Sequence, residues 1–292
     1  MLHPPELYRN FSTYTYPGCY AHIIKNLPND VKQIGTLLSK SVIHRNVLKY
    51  GNTKFNANMT YGDMNEVPWW RLRCEDDIFP TSSAMLAELL RLDPKGLTTS
   101  RRTADKIIVT CRQSSILMAS ALKTKGYPAR VRAVFVPYIF SNNTDHWIVQ
   151  YWNRKWINVD IDICLENKGF DAFNVPEDII SFPAQIWLKI RKNKLNANNF
   201  NIAGKTRGVK AVLAELMYDF HCIMNDEIIY NHVPDFMFRK SAIKPNDLKD
   251  IDILAKLMIY PDRNFHQLAK IWETQKKFRI LSGSLIHSSD HK

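Results

Sequence analysis

The chain has 292 residues, 45% of them hydrophobic, with 40 Lys and Arg against 28 Asp and Glu for a formal charge of +12. That length can bury a sizeable core, and Arg112 and Gln113 interrupt the longest apolar run, which excludes a membrane-spanning helix. Cys19, Cys74, Cys111, Cys164 and Cys222 are odd in number and form no CxxC pair, which excludes a disulfide framework and a zinc ribbon.

The opening MLHPPELYRN has neither a basic n-region nor an apolar h-region, so a cytoplasmic location is expected. From Asp30 to Tyr50 the residues Val31, Ile34, Leu37, Leu38, Val42, Val47 and Leu48 recur at helical spacing, with Asp30 as N-cap and Gly51 as stop. This predicts one helix over 30–50. His44 falls inside it, has no acidic or thiol neighbour in sequence, and reads as a structural histidine. A second helix is expected over 82–92, ended by Asp93-Pro94, and a third beginning at or near Cys111 and stopped by Gly126 before Pro128.

The run ARVRAVFVPYIF that follows is rich in β-branched and aromatic residues and predicts a strand, with Asn142, Asn143 and Thr144 as a turn. HWIVQYW and KWINVDI are alternating runs separated by Asn153 and Arg154, an antiparallel hairpin in which His146 starts one strand and Asp160 ends the next. From Pro176 onward the pattern is mainly helical, at 184–191, 209–221, 248–259 and 265–274, with Asn246 or Asp247 capping the third. The polar, Ser-rich end SGSLIHSSDHK is expected to be disordered.

The order Cys111, His146, Asp160 suits a nucleophilic site. A free thiol with a pKa of about 8.5 is mostly protonated at neutral pH and needs a helix N-terminus or an imidazole to become a thiolate. Cys111 at a helix start has the first, and His146 is the candidate base, oriented by Asp160. Asp162 is the alternative carboxylate, since its side chain shares the face of Asp160 if the strand continues. The three candidates lack the short ligand pair usual in zinc sites, and no Asp-x-Asp-x-Asp-Gly loop is present, so neither metal nor cofactor is expected. The backbone N–H of Cys111 is the natural first oxyanion donor; a second is not visible in the sequence. Trp69, Trp70 and Tyr138 are candidates for lining an acyl-acceptor cleft.

Lys189, Arg191, Lys192, Lys194, Lys205, Arg207 and Lys210 form a basic stretch, and Lys276, Lys277 and Arg279 another. No helix-turn-helix, zinc-finger or RNP-type signature accompanies them and basic runs on surface helices are most often solvated faces, so nucleic-acid binding is not expected, and an acidic substrate or carrier protein is an equally good explanation of the charge.

CRQSSILMASALKTKGYPARVRAVFV, DHWIVQYW and RKWINVD together resemble the core of the transglutaminase-like superfamily over about 50 residues. The matching features are Cys111 at a helix start, the Gly-x-Pro-Ala-Arg turn from Gly126 to Arg130, His146 followed by Trp147, and Trp156 four residues before Asp160. More loosely, most of the chain is similar to a group of uncharacterised bacterial transglutaminase-like proteins of about this length; that group has Gly-Asn before the Cys-Arg pair, where this chain has Val109 and Thr110. The resemblance implies an α+β fold with a papain-like Cys-His-Asp core and additional N- and C-terminal helices. It implies a cysteine acyltransferase or amide hydrolase acting on a protein, peptide or small-molecule amide or thioester through a thioester acyl-enzyme. The expected organisation is an N-terminal helical part (1–94), a catalytic core (95–175), a C-terminal helical elaboration (176–280) and a tail (281–292), read as one compact domain with helical elaborations rather than independent modules. Arg130 is expected to stabilise the fold.

Overall fold

The computed structural model describes residues 6–71, 78–139, 143–230, 232–237 and 243–279. It is a mixed α and β protein with a mixed sheet. Among the described residues no helix is long and apolar enough to cross a membrane. The described residues divide into two compact units, the first from residues 6–131 and 147–177, the second from 132–146 and 178–279.

The first unit contains α1 (Ala21–Lys25), α2 (Val31–Ser39), β1 (Val42–His44), α3 (Arg45–Tyr50), α4 (Ser82–Leu92), β2 (Ile107–Val109) and α5 (Cys111–Thr124). Strands β3 (Ala129–Val136) and β4 (Asn143–Trp152) start or finish in it, and β5 (Trp156–Val159) follows β4. The register of β4 on β5 runs antiparallel from Val149↔Val159 to Trp152↔Trp156, closed by Arg154 at φ +63°. Helix α5 is the centre of this unit. It is buried from Cys111 to Lys123 and packs against α1, α2, α4 and β2. Most polar side chains of so fully buried a helix find partners, although the Ser114 hydroxyl has none among the described residues. Ser115 Oγ donates to the Trp147 carbonyl (2.9 Å), Ser82 Oγ to Ser120 Oγ (2.8 Å), and Lys123 Nζ to the Asn10 carbonyl (2.8 Å). Arg130 is buried with its guanidinium 4.0 Å from the Trp156 ring and its Nε on Gln150 Oε1 (2.8 Å).

The second unit contains β6 (Phe200–Ile202), β7 (Thr206–Arg207), α6 (Pro183–Arg191), α7 (Val209–Ile223), α8 (Pro245–Met258) and α9 (Phe265–Thr274). The larger sheet has the order β3-β4-β6-β7, with β5 also on β4. Buried α7 carries Asp219, whose carboxylate takes both forks of Arg132 (2.6 and 2.8 Å) with the two side chains 0% and 4% exposed.

Three expectations need correction, and one stretch unassigned in the sequence proves to be a hairpin. The single helix over 30–50 is two helices separated by β1. Helix α2 does begin at the Asp30 cap, whose carboxylate accepts from the Gln33 N–H (2.9 Å), and α3 does stop at Gly51 (φ +67°). Between them β-branched Val42 and Ile43 pair in parallel with β2, Val42↔Ile107, Ile43↔Ile108 and His44↔Val109. Burying Ile43 and Ile108 in one cluster with Val47, Leu48, Tyr61, Met64 and Val67 outweighs the helical phase of the sequence. Asn143 and Thr144 belong to β4 rather than to a turn, because they pair in parallel with Phe200 and Asn201; His146 is therefore inside the strand, not at its start. The basic stretch after α6 contains the β6–β7 hairpin, turned through Ala203 and Gly204, both at positive φ. Helix α8 starts at Pro245 after Lys244, ahead of Asn246 and Asp247, since proline needs no N–H partner in a first turn. The expected disordered tail, and Cys74, lie outside the described residues.

Candidate functional site

Strand β2 ends at Val109 and α5 begins two residues later, so the strand delivers Cys111 to a helix start. Thr110 and Gln113 form a capping box in which the Gln113 Oε1 accepts from the Thr110 N–H (3.1 Å). The box ties down the residues flanking the first turn and holds Cys111, as first helical residue, at the positive end of a 14-residue helix. Its side chain is buried, 6% exposed.

Parallel pairing sets His44 opposite Val109. One ring nitrogen of His44, the Sγ of Cys111 and one carboxylate oxygen of Asp162 consequently lie within 4.8 Å of one another, with His44 and Asp162 half-buried. The Nδ1 of His44 accepts the Asn46 N–H (3.2 Å) at the start of α3. An N–H donor facing Nδ1 selects the neutral tautomer that carries its hydrogen on Nε2.

Asp162 is held by the segment after β5. Its N–H donates to Asp160 Oδ1 (3.1 Å), the Asp160 N–H donates to the Ala172 carbonyl (2.8 Å), and Asp160 is buried at 1% exposure. Tyr61 completes the brace, its hydroxyl on the Asp162 carbonyl (2.9 Å) and on the Glu166 carboxylate. Burial, with Glu166 second, raises the Tyr61 pKa above the ordinary phenol value and keeps the hydroxyl a donor. Helix α2 presses on the same segment through Gly35, where an added Cβ would run into Phe173 and come within 3.0 Å of Ile161. Cys164, nearby, has its thiol pushed up to about 12, chiefly by burial, so it stays protonated where Cys111 is offered an imidazole.

The other sequence candidates fall in different settings. Trp69 and Trp70 are exposed, 77% and 63%, and stack edge to face at 5.9 Å in a short 3-10 turn, Trp69–Arg71. Arg71 pins that turn to the approach to β2 through the carbonyls of Ala104 (2.9 Å) and Lys106 (2.8 Å). Tyr138 and His146 belong to the second unit, where their rings are edge to face at 6.1 Å and His146 is 2% exposed. Sequence reasoning missed His44. The signal was the β-branched pair Val42-Ile43 before His44, matched by IIV immediately before Thr110-Cys111.

His44, Cys111 and Asp162 are metal-ligand types at compatible spacing. The hydrogen bonding around them does not fit an ion. A metal-bound imidazole carries its hydrogen on the other ring nitrogen and donates it outward; here Nδ1 accepts from Asn46, so coordination through Nε2 would set two N–H groups face to face, and coordination through Nδ1 would displace the α3 cap.

Comparison of the chain with protein-family models, with curated proteins and with solved structures returns no match.

Proposed function

We propose that the chain is a transglutaminase-like cysteine enzyme that transfers or hydrolyses acyl groups through a thioester on Cys111. The observation that carries this reading is the cluster itself: a thiol at the positive end of a long helix with an imidazole nitrogen and a carboxylate oxygen within 4.8 Å. A helix N-terminus favours the thiolate that such a reaction needs.

The thiolate attacks the carbonyl carbon of an amide or thioester, the C–S bond forms, and the carbonyl π pair moves to oxygen. Collapse restores the carbonyl, expels the amine or thiol with a proton from the base, and leaves the acyl-enzyme for an amine acceptor or water. On the resemblance, His146 is the base and Asp160 its orienting carboxylate; both assignments rest on the sequence. The substrate class is a protein, peptide or small-molecule amide or thioester, with acidic donors or carriers favoured by the +12 charge.

Intact-mass labelling with iodoacetamide across pH 5 to 9 tests the proposal on wild type, Cys111→Ala and His146→Ala. Fast labelling below pH 7 that both substitutions remove supports an activated Cys111. A folded wild type in which Cys111 reacts no faster than a free thiol sinks it.

A further inference from the structure

We propose that a cleft between the start of α2 and the β4–β5 hairpin binds a neutral sugar ring, a pyranose that is either free or the terminal unit of a glycan. The cleft has a volume of about 250 Å³ and is lined by residues 29–32 with Tyr127, Tyr151, Asn153 and Phe173. All of them belong to the first unit. Tyr127 follows the stop of α5, so the 14 residues of that helix put the cleft about 20 Å from Cys111. The proposal therefore stands apart from the reading of Cys111 as a nucleophile.

The walls are aromatic and held in place. The Tyr127 N–H donates to the Leu122 carbonyl (3.0 Å), which fixes the residue at the end of α5. Tyr151 pairs with Ile157 across β4 and β5, and the two tyrosine rings meet edge to face at 5.6 Å. Phe173 packs its ring on Gly35, and its N–H donates to Asp171 Oδ1 (3.0 Å). Aromatic faces carry partial negative charge and attract the polarised C–H groups of a sugar ring.

The charged groups around the cleft are engaged by the protein itself. Lys32 Nζ is paired with Asp171 Oδ2 at 2.8 Å, and Asp30 caps α2 by accepting the Gln33 N–H (2.9 Å). Asn29 Oδ1 accepts from Lys125 Nζ (3.1 Å). The groups left over are neutral. Among the described residues, the hydroxyls of Tyr127 and Tyr151 and the side-chain amide of Asn153 have no hydrogen-bond partner. Tyr151 is 8% exposed, and burial, followed by Tyr127, raises its phenol above the ordinary value, which keeps the hydroxyl a donor. Phenol and amide groups donate and accept, as sugar hydroxyls do. An anion would meet a lysine already paired, and a cation would meet that same lysine in the wall. The volume is below the about 300–1,000 Å³ of clefts for drug-sized ligands, which suits a single ring.

Saturation-transfer NMR tests the cleft with D-glucose, D-galactose, D-mannose and N-acetyl-D-glucosamine, each also as its methyl glycoside. The proteins are wild type, Tyr127→Ala and Asn153→Ala, and open-chain sorbitol and tetramethylammonium are the controls. Expected is saturable transfer to the ring protons of at least one sugar. Tyr127→Ala should weaken it about tenfold or more, and Asn153→Ala about two- to tenfold. Methyl glycosides that bind as the free sugars do would identify the terminal unit of a glycan, and glycosides that fail would identify a free sugar; both uphold the proposal. If circular dichroism shows Tyr127→Ala unfolded, Asn153→Ala decides, because Asn153 lies exposed in the hairpin bend. The proposal is overturned by the absence of saturable transfer from every sugar, by transfer that the folded variants leave unchanged, by sorbitol binding as tightly as the sugars, or by tetramethylammonium saturating where the sugars do not.

Discussion

His44 and Val109 face each other across the parallel pairing of β1 and β2, and this three-residue contact brings an imidazole beside the thiol that starts α5. Neither residue is near the other in sequence, and neither has a local motif that announces it. The site is made by strand pairing and read out by helix geometry.

Apart from Cys111, the described cysteines of the folded protein should label in an order set by burial. Cys19 is exposed and should be open to iodoacetamide without denaturant. Cys164, held protonated to about pH 12, and fully buried Cys222 should stay unlabelled between pH 5 and 9 until denaturant is added. Peptide mapping after labelling reads the order, and early labelling of Cys164 would contradict the packing of α2 on the 160–166 segment.

Gly35→Ala should disturb the carboxylate side of the site from a distance. The new methyl meets Phe173 and Ile161, an overpacking that costs about 1–3 kcal/mol, partly offset by the better helix propensity of alanine. Denaturant unfolding measures the loss. Acylation should fall more than stability alone would require, because Ile161 lies between Asp160 and Asp162.

Tyr61→Phe removes the hydroxyl that braces Asp162 and leaves the Glu166 carboxylate short of a donor. A destabilisation of about 1–3 kcal/mol is expected. The same variant should slow acyl transfer while iodoacetamide still finds Cys111, and an unchanged unfolding midpoint would show that the brace carries no weight.

Lys106 provides a pH signature. Burial pushes its amine down to about 8 while Nζ donates to the Tyr61 carbonyl (2.7 Å). Between pH 8 and the unfolded value of 10.5 the unfolded chain binds the proton more tightly than the folded one, so stability should rise with pH across that window. Below pH 8 the penalty of holding the buried ammonium is constant. Comparing the pH dependence of unfolding in wild type and Lys106→Met isolates the effect, and parallel curves would refute it.

In the second unit, Asp219→Ala strands the Arg132 guanidinium in the core and should cost about 3–5 kcal/mol. Replacing both partners with Met and Leu should recover most of that loss. Chemical denaturation of the three variants gives the comparison, and a single substitution costing under about 1 kcal/mol would place the pair in solvent instead.

Much of the helical framework was legible because its signals are local. Thr81 and Ser82 start α4, Thr110 and Cys111 start α5, and Gly126 ends it at φ +88°; the β4–β5 hairpin follows from alternation around Asn153 and Arg154. Cys111 at a helix start could be read the same way. His44 could not, because Val31 to Leu48 keeps a helical phase straight through Val42 and Ile43, and only pairing with a segment more than sixty residues later breaks it. The β6–β7 hairpin was hidden for a similar reason. Its strands are two and three residues long, and their charges drew attention away from the turn at Ala203 and Gly204. Asp162 was visible as an alternative to Asp160, and its approach to Cys111 depended on the bend after β5 that Tyr61 and Asp160 hold.

The β1–β2 pairing also governs when the His44, Cys111 and Asp162 side chains come together. His44 and Cys111 are separated by 67 positions, and closing a loop of that size carries an entropic cost that only long-range contacts repay. On a ribosome, or in a chain clipped and loosened between the two strands, Cys111 has no His44 beside it; the cluster exists only once that long-range pairing has closed.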